Sequence, residues 1–269
     1  MNYGELGKKR ISFIGAGIIA EVFITRLIDL GVIKADAIIA SDILPERLRE
    51  LERKFGIRTS GDNKVAADFG DIVVLAVPSG VVKAVLSESC TSVGEGQVMI
   101  SLAAAVPTWL IESALCKPVP VVRVIPNTPS VIGSGVNPFC VGRHVRDESL
   151  ALAKDFLDLF GHPLLIDEKL MNAFTALTAV GPTYFFPVIK ALREASVKLG
   201  ISEVEAEVAV AQTMIGAAEL VLKTSRHPED LNLMISTRTI DESAVYNLFT
   251  QAFMDAFARI NRLEAKLTQ

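Results

Sequence analysis

The chain has one tryptophan, three histidines and three cysteines in 269 residues, and no basic run longer than Lys8-Lys9-Arg10. Each shortage excludes something. With 27 Lys and Arg against 31 Asp and Glu the formal net charge is −4, so the electrostatic footprint of a nucleic-acid binder is missing. His144, His162 and His227 lie far apart in no catalytic constellation, and no metal site is expected. Cys90, Cys116 and Cys140 lack the paired spacing of a zinc site or a secreted disulfide framework, and read as reduced, mostly structural thiols of a cytoplasmic protein. No signal peptide is expected, because a polar start runs into a glycine turn instead of an apolar core with a cleavage site. Residues 173–189 carry no charge, but Gly181-Pro182 interrupts them and Lys190 and Arg193 follow. This segment reads as a buried helix and not as a membrane span.

What is abundant is apolar: half of the residues are hydrophobic, and part of that surface is expected to enter a subunit interface. The most informative stretch is 12–20, where an apolar run feeds into Gly15-Ala16-Gly17-Ile18-Ile19-Ala20 and then into a helical pattern. In a Gly-x-Gly-x-x-Ala turn the first glycine permits the tight strand-to-helix turn and the second admits a pyrophosphate. The alanine keeps helix and sheet close. The helix then points its positive end and unpaired N–H groups at the phosphates. Residues 38–42 supply a second strand ending in Ser41-Asp42, an acid at the spacing of a ribose contact. Asp42 favours NADH, because it would repel a 2′-phosphate; Arg47, the nearest compensating cation, is expected to point to solvent.

Short β-like runs at 10–14, 37–41, 71–77, 97–102 and 119–125 alternate with helical patterns at 18–30, 45–55, 80–88 and 108–115. That alternation predicts a doubly wound parallel sheet. Two more strands, 137–142 and 163–166, flank a helix at 147–160 and extend the same sheet. After Asp167 strand signals cease, and helices are expected at 170–178, 182–199, 203–224, 228–235 and 241–266. The fold class is thus α/β, a Rossmann domain over 1–167 followed by an all-α domain over 168–269. Ser202 with Glu205 reads as a capping box for the helix at 203.

Several motifs in order resemble the pyrroline-5-carboxylate reductases. They are the turn at 15–21, Asp62-Asn63, Leu75-Ala76-Val77, Ser101-Leu102-Ala103-Ala104-Ala105-Val106, and Arg123-Val124-Ile125-Pro126-Asn127-Thr128-Pro129. Gly181-Pro182-Thr183-Tyr184, residues 197–201 and 211–218, and His227-Pro228 continue the resemblance. It implies a helical domain that interlocks with its partner in a homodimer, sometimes assembled further, and reduction of a cyclic imine to proline with NADP(H) or NAD(H). Hydride transfer to an already activated imine rests mainly on positioning, which suits a chain with few acid–base candidates. The cofactor candidates are Gly15, Ala16, Gly17, Ile18, Ile19, Ser41, Asp42, Asn63, Ala76, Val77, Pro78, Ala103 and Asn127.

The family pattern breaks at the substrate loop, where 236–242 reads Ser-Thr-Arg-Thr-Ile-Asp-Glu in place of a Pro-Gly-Gly core. Pro78 stands where a cofactor-facing lysine is common, and Thr178-Ala179-Val180 replaces Ser-Gly-Ser. Thr178, Ser236, Thr237 and Arg238 are the candidate catalytic residues. Two readings of the loop are compatible: Thr239 caps the last helix in a Thr-x-x-Glu box with Glu242, and Arg238 grips a substrate carboxylate. The alternatives for the whole chain are reduction of a different imine, F420-linked NADP reduction, and a catalytically silent dinucleotide binder.

Overall fold

The computed structural model describes residues 4–269. An eight-stranded sheet is built from β1 (Ile11–Ile14), β2 (Ile38–Ser41), β3 (Arg58–Ser60), β4 (Ile72–Leu75), β5 (Val98–Ser101), β6 (Val121–Val124), β7 (Gly135–Val141) and β8 (Gly161–Leu165), in the order β3-β2-β1-β4-β5-β6-β7-β8. The first six run parallel. Strands β1, β2, β4, β5 and β6 are buried at every position, because helices cover both faces of a crossover sheet and no alternation with polar residues survives.

Successive side chains serve the two faces in turn. Phe13, Ala40, Val74, Ile100 and Val124 join one core with Phe23, Ile24 and Leu27 of α1 (Ile18–Asp29) and with Phe156 and Phe160 in and after α6 (Asp147–Asp158). The rings of Phe23 and Phe160 stack at 4.0 Å. Ile14, Val73, Leu75, Met99 and Val121 join the other core, with Val82 and Leu86 of α4 (Val82–Ser89) and Leu110 and Ile111 of α5 (Thr108–Ala114). Two helices complete the series, α2 (Pro45–Phe55) and α3 (Asn63–Phe69).

The parallel expectation fails at one junction: β7 is antiparallel to β6 and β8 is parallel to β7. Only a short 3-10 turn, Thr128–Ile132, separates β6 from β7, and a parallel return needs a longer crossover. β3 and α3 are further elements between α2 and β4, beyond those expected from the sequence pattern. Contrary to expectation, the cysteines are not all reduced. Cys90, just past α4, and Cys116, just past α5, form a disulfide with Cα atoms 5.1 Å apart, because these helices pack side by side on one sheet face. Cys140 alone is a free, buried thiol.

Beyond the sheet, the expected helix at 170–178 is a short α7 (Met171–Phe174) running into a π-helical turn, Thr175–Ala179. Four helices follow: α8 (Pro182–Lys198), α9 (Glu203–Thr224), α10 (Pro228–Asn232) and α11 (Glu242–Leu267). No helix among the described residues is long and apolar enough to cross a membrane. Compactness divides the chain into residues 4–179 with 256–269, and residues 180–255. The end of α11 thus belongs to the first unit, where Leu267 packs on the second core. Asn172 donates to Asn261 at 2.9 Å and to Glu264 at 2.6 Å.

In the second unit Ser202 and Glu205 form the expected reciprocal cap of α9. The box at α11 is not formed. The Asp241 carboxylate accepts from the Ala244 N–H at 3.1 Å and so caps the helix, while Glu242 accepts from Asn232 at 2.7 Å. Thr239 lies outside the helix, two residues too early to cap it.

Candidate functional site

Gly15 begins the site. Its φ of +97° is a left-handed conformation, and a Cβ there would stand 2.8 Å from the Ala76 carbonyl oxygen. Only glycine lets β1 turn this close to the end of β4. Gly17 then sits at the start of α1 with no side-chain cap on the helix, and a Cβ at Gly17 would meet open space within 4 Å. Uncapped N–H groups facing open space are what a pyrophosphate occupies at a helix N-terminus.

Around this turn Gly15, Gly17, Ile18, Ile19, Ser41, Asp42, Asn63, Ala76, Val77, Pro78 and Ala103 line one cleft of about 810 Å³. It opens at the carboxyl ends of β2, β1, β4 and β5, the position a doubly wound sheet reserves for ligands. Two sequence candidates are placed differently. The Ala16 side chain is buried in the core, and only its peptide groups take part. Asn127 does not line the cleft; it accepts from the Val136 N–H at 3.1 Å and donates to the Thr178 carbonyl at 3.3 Å, bracing the β6–β7 turn.

The structure adds Ile43, Leu44, Ser79, Val81, Val85, Glu88, Leu102 and Ala104 to the lining. Leu102 and Ala104 flank a residue the sequence did single out. Ile43 and Leu44 carried a signal that went unused: two large apolar residues directly after the acid at the end of β2. Ile43 is 87% exposed and Ile18 is 81% exposed, so both are open to contact from the cleft. Ser41 donates to Asn63 Oδ1 at 2.9 Å, joining β2 to the start of α3, where the Asp62 carboxylate caps the helix by accepting from Lys64 N–H at 2.8 Å.

Asp42 and Arg47 grip the glycine turn from opposite sides. The Asp42 carboxylate accepts from the N–H of Ala16 at 2.9 Å and of Leu44 at 3.0 Å. Arg47 Nε donates to the Ala16 carbonyl at 2.7 Å, Nη1 meets Glu50 at 2.6 Å, and Nη2 pairs with Glu21. Arg47 is only 18% exposed, so the expectation that it points to solvent is corrected. Hydrogen bonds from Lys54 and then Arg47 hold the Glu21 carboxyl below its ordinary range.

Of the catalytic candidates, Thr178 lies in the π-helical turn and donates to the Phe174 carbonyl at 2.8 Å. Such turns recur at functional sites. Ser236, Thr237 and Arg238 lie in the irregular, exposed segment before α11, in the other compact unit. Among the described residues Arg238 makes no hydrogen bond or ion pair, and no cluster of His, Cys, Asp and Glu suits a metal ion.

Comparison with known proteins agrees with this geometry. Residues 168–263 match the family described as pyrroline-5-carboxylate reductase dimerisation, and residues 10–105 match that of coenzyme F420-dependent NADP oxidoreductase. A pyrroline-5-carboxylate reductase of Methanosarcina acetivorans is 32% identical over 96% of this chain and 99% of the relative. That of Pseudomonas aeruginosa is 34% identical over 85% of this chain and 84% of the relative. The solved Coxiella burnetii pyrroline-5-carboxylate reductase superposes with a TM-score of 0.78 at 30% identity, covering 96% of this chain and 98% of that one. A glycine-turn cleft on a Rossmann sheet, a helical second half and relatives matched almost end to end place the chain in the pyrroline-5-carboxylate reductase family of NAD(P)H-dependent oxidoreductases.

Proposed function

We propose that this protein reduces the C=N bond of pyrroline-5-carboxylate to give proline. Bound NAD(P)H supplies the hydride to the ring carbon, and the ring nitrogen holds the proton that completes the amine. The observation that carries the reading is the cleft itself, in a chain whose relatives with this activity in their names match it over nearly its full length. The F420-linked alternative is supported by residues 10–105 alone.

The strand order supports one layout for the parts of the cofactor. In it Asp42 at the end of β2 would face the adenosine ribose, Gly15, Gly17 and the start of α1 would hold the pyrophosphate, and Val77, Pro78, Ala103 and Ala104 past β4 and β5 would receive the nicotinamide. Ala16, Ile18, Ile19, Ser41, Asn63 and Ala76 complete the cradle. Residues 168–269 serve as the dimerisation and substrate domain, with two copies per particle in the cytoplasm. Thr178, Ser236, Thr237 and Arg238 are the groups proposed to meet the substrate, and the unpaired Arg238 guanidinium suits a bidentate grip on the substrate carboxylate.

The experiment is steady-state oxidation of NADH and NADPH with pyrroline-5-carboxylate. Turnover is expected, whereas cofactor binding without turnover would leave a silent binder. Arg238→Ala should raise KM more than it lowers kcat, because an anchor remote from the reacting carbon contributes mainly uniform binding. A lost charge-assisted pair amounts to about 1.5–3 kcal/mol, or about 10- to 150-fold in kcat/KM. A change within about twofold would remove Arg238 from the substrate site.

A further inference from the structure

The cleft is mostly apolar, and its few charged side chains are of one sign. Among the described residues lining it, Asp42 and Glu88 are the only acidic ones and none is Lys or Arg. Lys64, just past Asn63, is not part of the lining. Arg47, the cation that touches the glycine turn, has its guanidinium spent on Glu21, Glu50 and the Ala16 carbonyl, and Lys54 is likewise paired with Glu21. A second phosphate on the ribose would therefore meet the Asp42 carboxylate with no free positive charge beside it.

The Asp42 carboxylate cannot easily turn away. Both of its oxygens are tied to backbone N–H groups, one on the glycine turn and one on Leu44. Each oxygen keeps a second lone pair for a ribose hydroxyl. Asp42 and Arg47 together hold both peptide groups of Ala16, N–H by the acid and carbonyl by the base. The brace that shapes the phosphate turn is thus also the charge that reads the ribose. Beyond it Ile43 and Leu44 offer an apolar shelf at the adenine end.

From this arrangement we infer that the enzyme is selective for NADH over NADPH, with Asp42 as the discriminating residue and Arg47 as a positioning residue that holds the turn and is withheld from phosphate. The inference rests on the cleft being the dinucleotide site and on nothing about the substrate. A carboxylate a few ångströms from a 2′-phosphate, partly screened by water, sets the expected preference at about tenfold or more in dissociation constant.

Calorimetric titration of the whole protein with NADH and with NADPH, without substrate, tests this. The wild type should bind NADH at least about tenfold more tightly. Asp42→Asn should narrow the gap at least about fivefold, chiefly by tightening NADPH. Because the Asp42 carboxylate also holds the turn, the melting temperature of Asp42→Asn is taken alongside. Ile43→Arg serves as the second variant because Ile43 is exposed and the brace is left intact. It should also tighten NADPH. NADPH binding as tightly as NADH in the wild type would overturn the inference while the site stands. A gap that neither variant narrows would overturn the role of Asp42. Failure of both dinucleotides to bind would overturn the reading of the cleft and the inference with it.

Discussion

Cys140 shows how a single residue is set by its neighbours. It sits on β7 opposite Arg123 on β6, and Arg123 is itself buried, with Glu168 at 3.3 Å and Glu264 at 3.6 Å. Glu168 also accepts both the N–H and the hydroxyl of Thr108 at 2.7 Å. Burial first, and the Glu168 charge second, push the Cys140 thiol up to about 12, against a smaller opposing pull from Arg123. A thiol that stays protonated is a poor nucleophile, so Cys140 should resist iodoacetamide in the folded protein at neutral pH and react once urea exposes it. The pH consequence has a definite sign. Between about pH 9 and 12 the unfolded chain has lost this proton and the native chain has kept it, so stability falls as pH rises. Urea midpoints at pH 8 and pH 10 should therefore converge in Cys140→Ala relative to wild type, and equal pH slopes would show that the thiol does not contribute.

Among the elements, the Cys90–Cys116 disulfide ties α4 to α5 across a sequence separation of 26. In the chain-entropy account a loop of that length contributes about 3.5 kcal/mol. Reductant should lower the urea midpoint by a corresponding amount, and thiol titration of the denatured, unreduced protein should find one free thiol per chain. Three free thiols would restore the reading of reduced cysteines. That reading failed because compartment statistics concern spacing along the chain, whereas Cys90 and Cys116 are brought together by two helices on one sheet face. The same distinction separates what was legible from what was not. The central strands declared themselves as apolar runs, and the glycine turn as two glycines between a strand and a helix. Strand β3 is three polar or half-exposed residues at the sheet edge, and α3 is seven residues long, too short for either period to register. The final cap was misplaced because Thr239 has an acid, Glu242, three residues on, whereas Asp241 has Ala244 at that spacing; only geometry decides that Asp241 starts α11. The turn at Asp42 was legible in residue type, but the Arg47 clasp depends on side-chain direction, which spacing does not carry.

For the whole molecule, the apolar content of the second half has to be accounted for by something other than its own core. Neither α8 nor α11 contains a buried residue, and α9 buries only Ala206 and Val210. Phe185, Phe186 and Leu192 on α8, and Tyr246 and Leu248 on α11, are all exposed. Helices with large side chains on display are stable in water when another surface covers them, and the region carrying them is the one that matches a dimerisation family. The occupant best suited to such a surface is a second copy of the chain, because closed two-fold pairing lets the same patch serve both partners. Sedimentation at micromolar concentration should accordingly find dimers or larger even-numbered assemblies and no monomer. Replacing two of the exposed residues by charge, Phe185→Asp with Leu248→Asp, should shift the protein toward monomer and lower its melting temperature together, since folding of this half and association draw on the same apolar area. A wild-type chain that sediments as a stable, folded monomer would defeat the argument, and a double variant that stays dimeric would move the interface to another face of these helices.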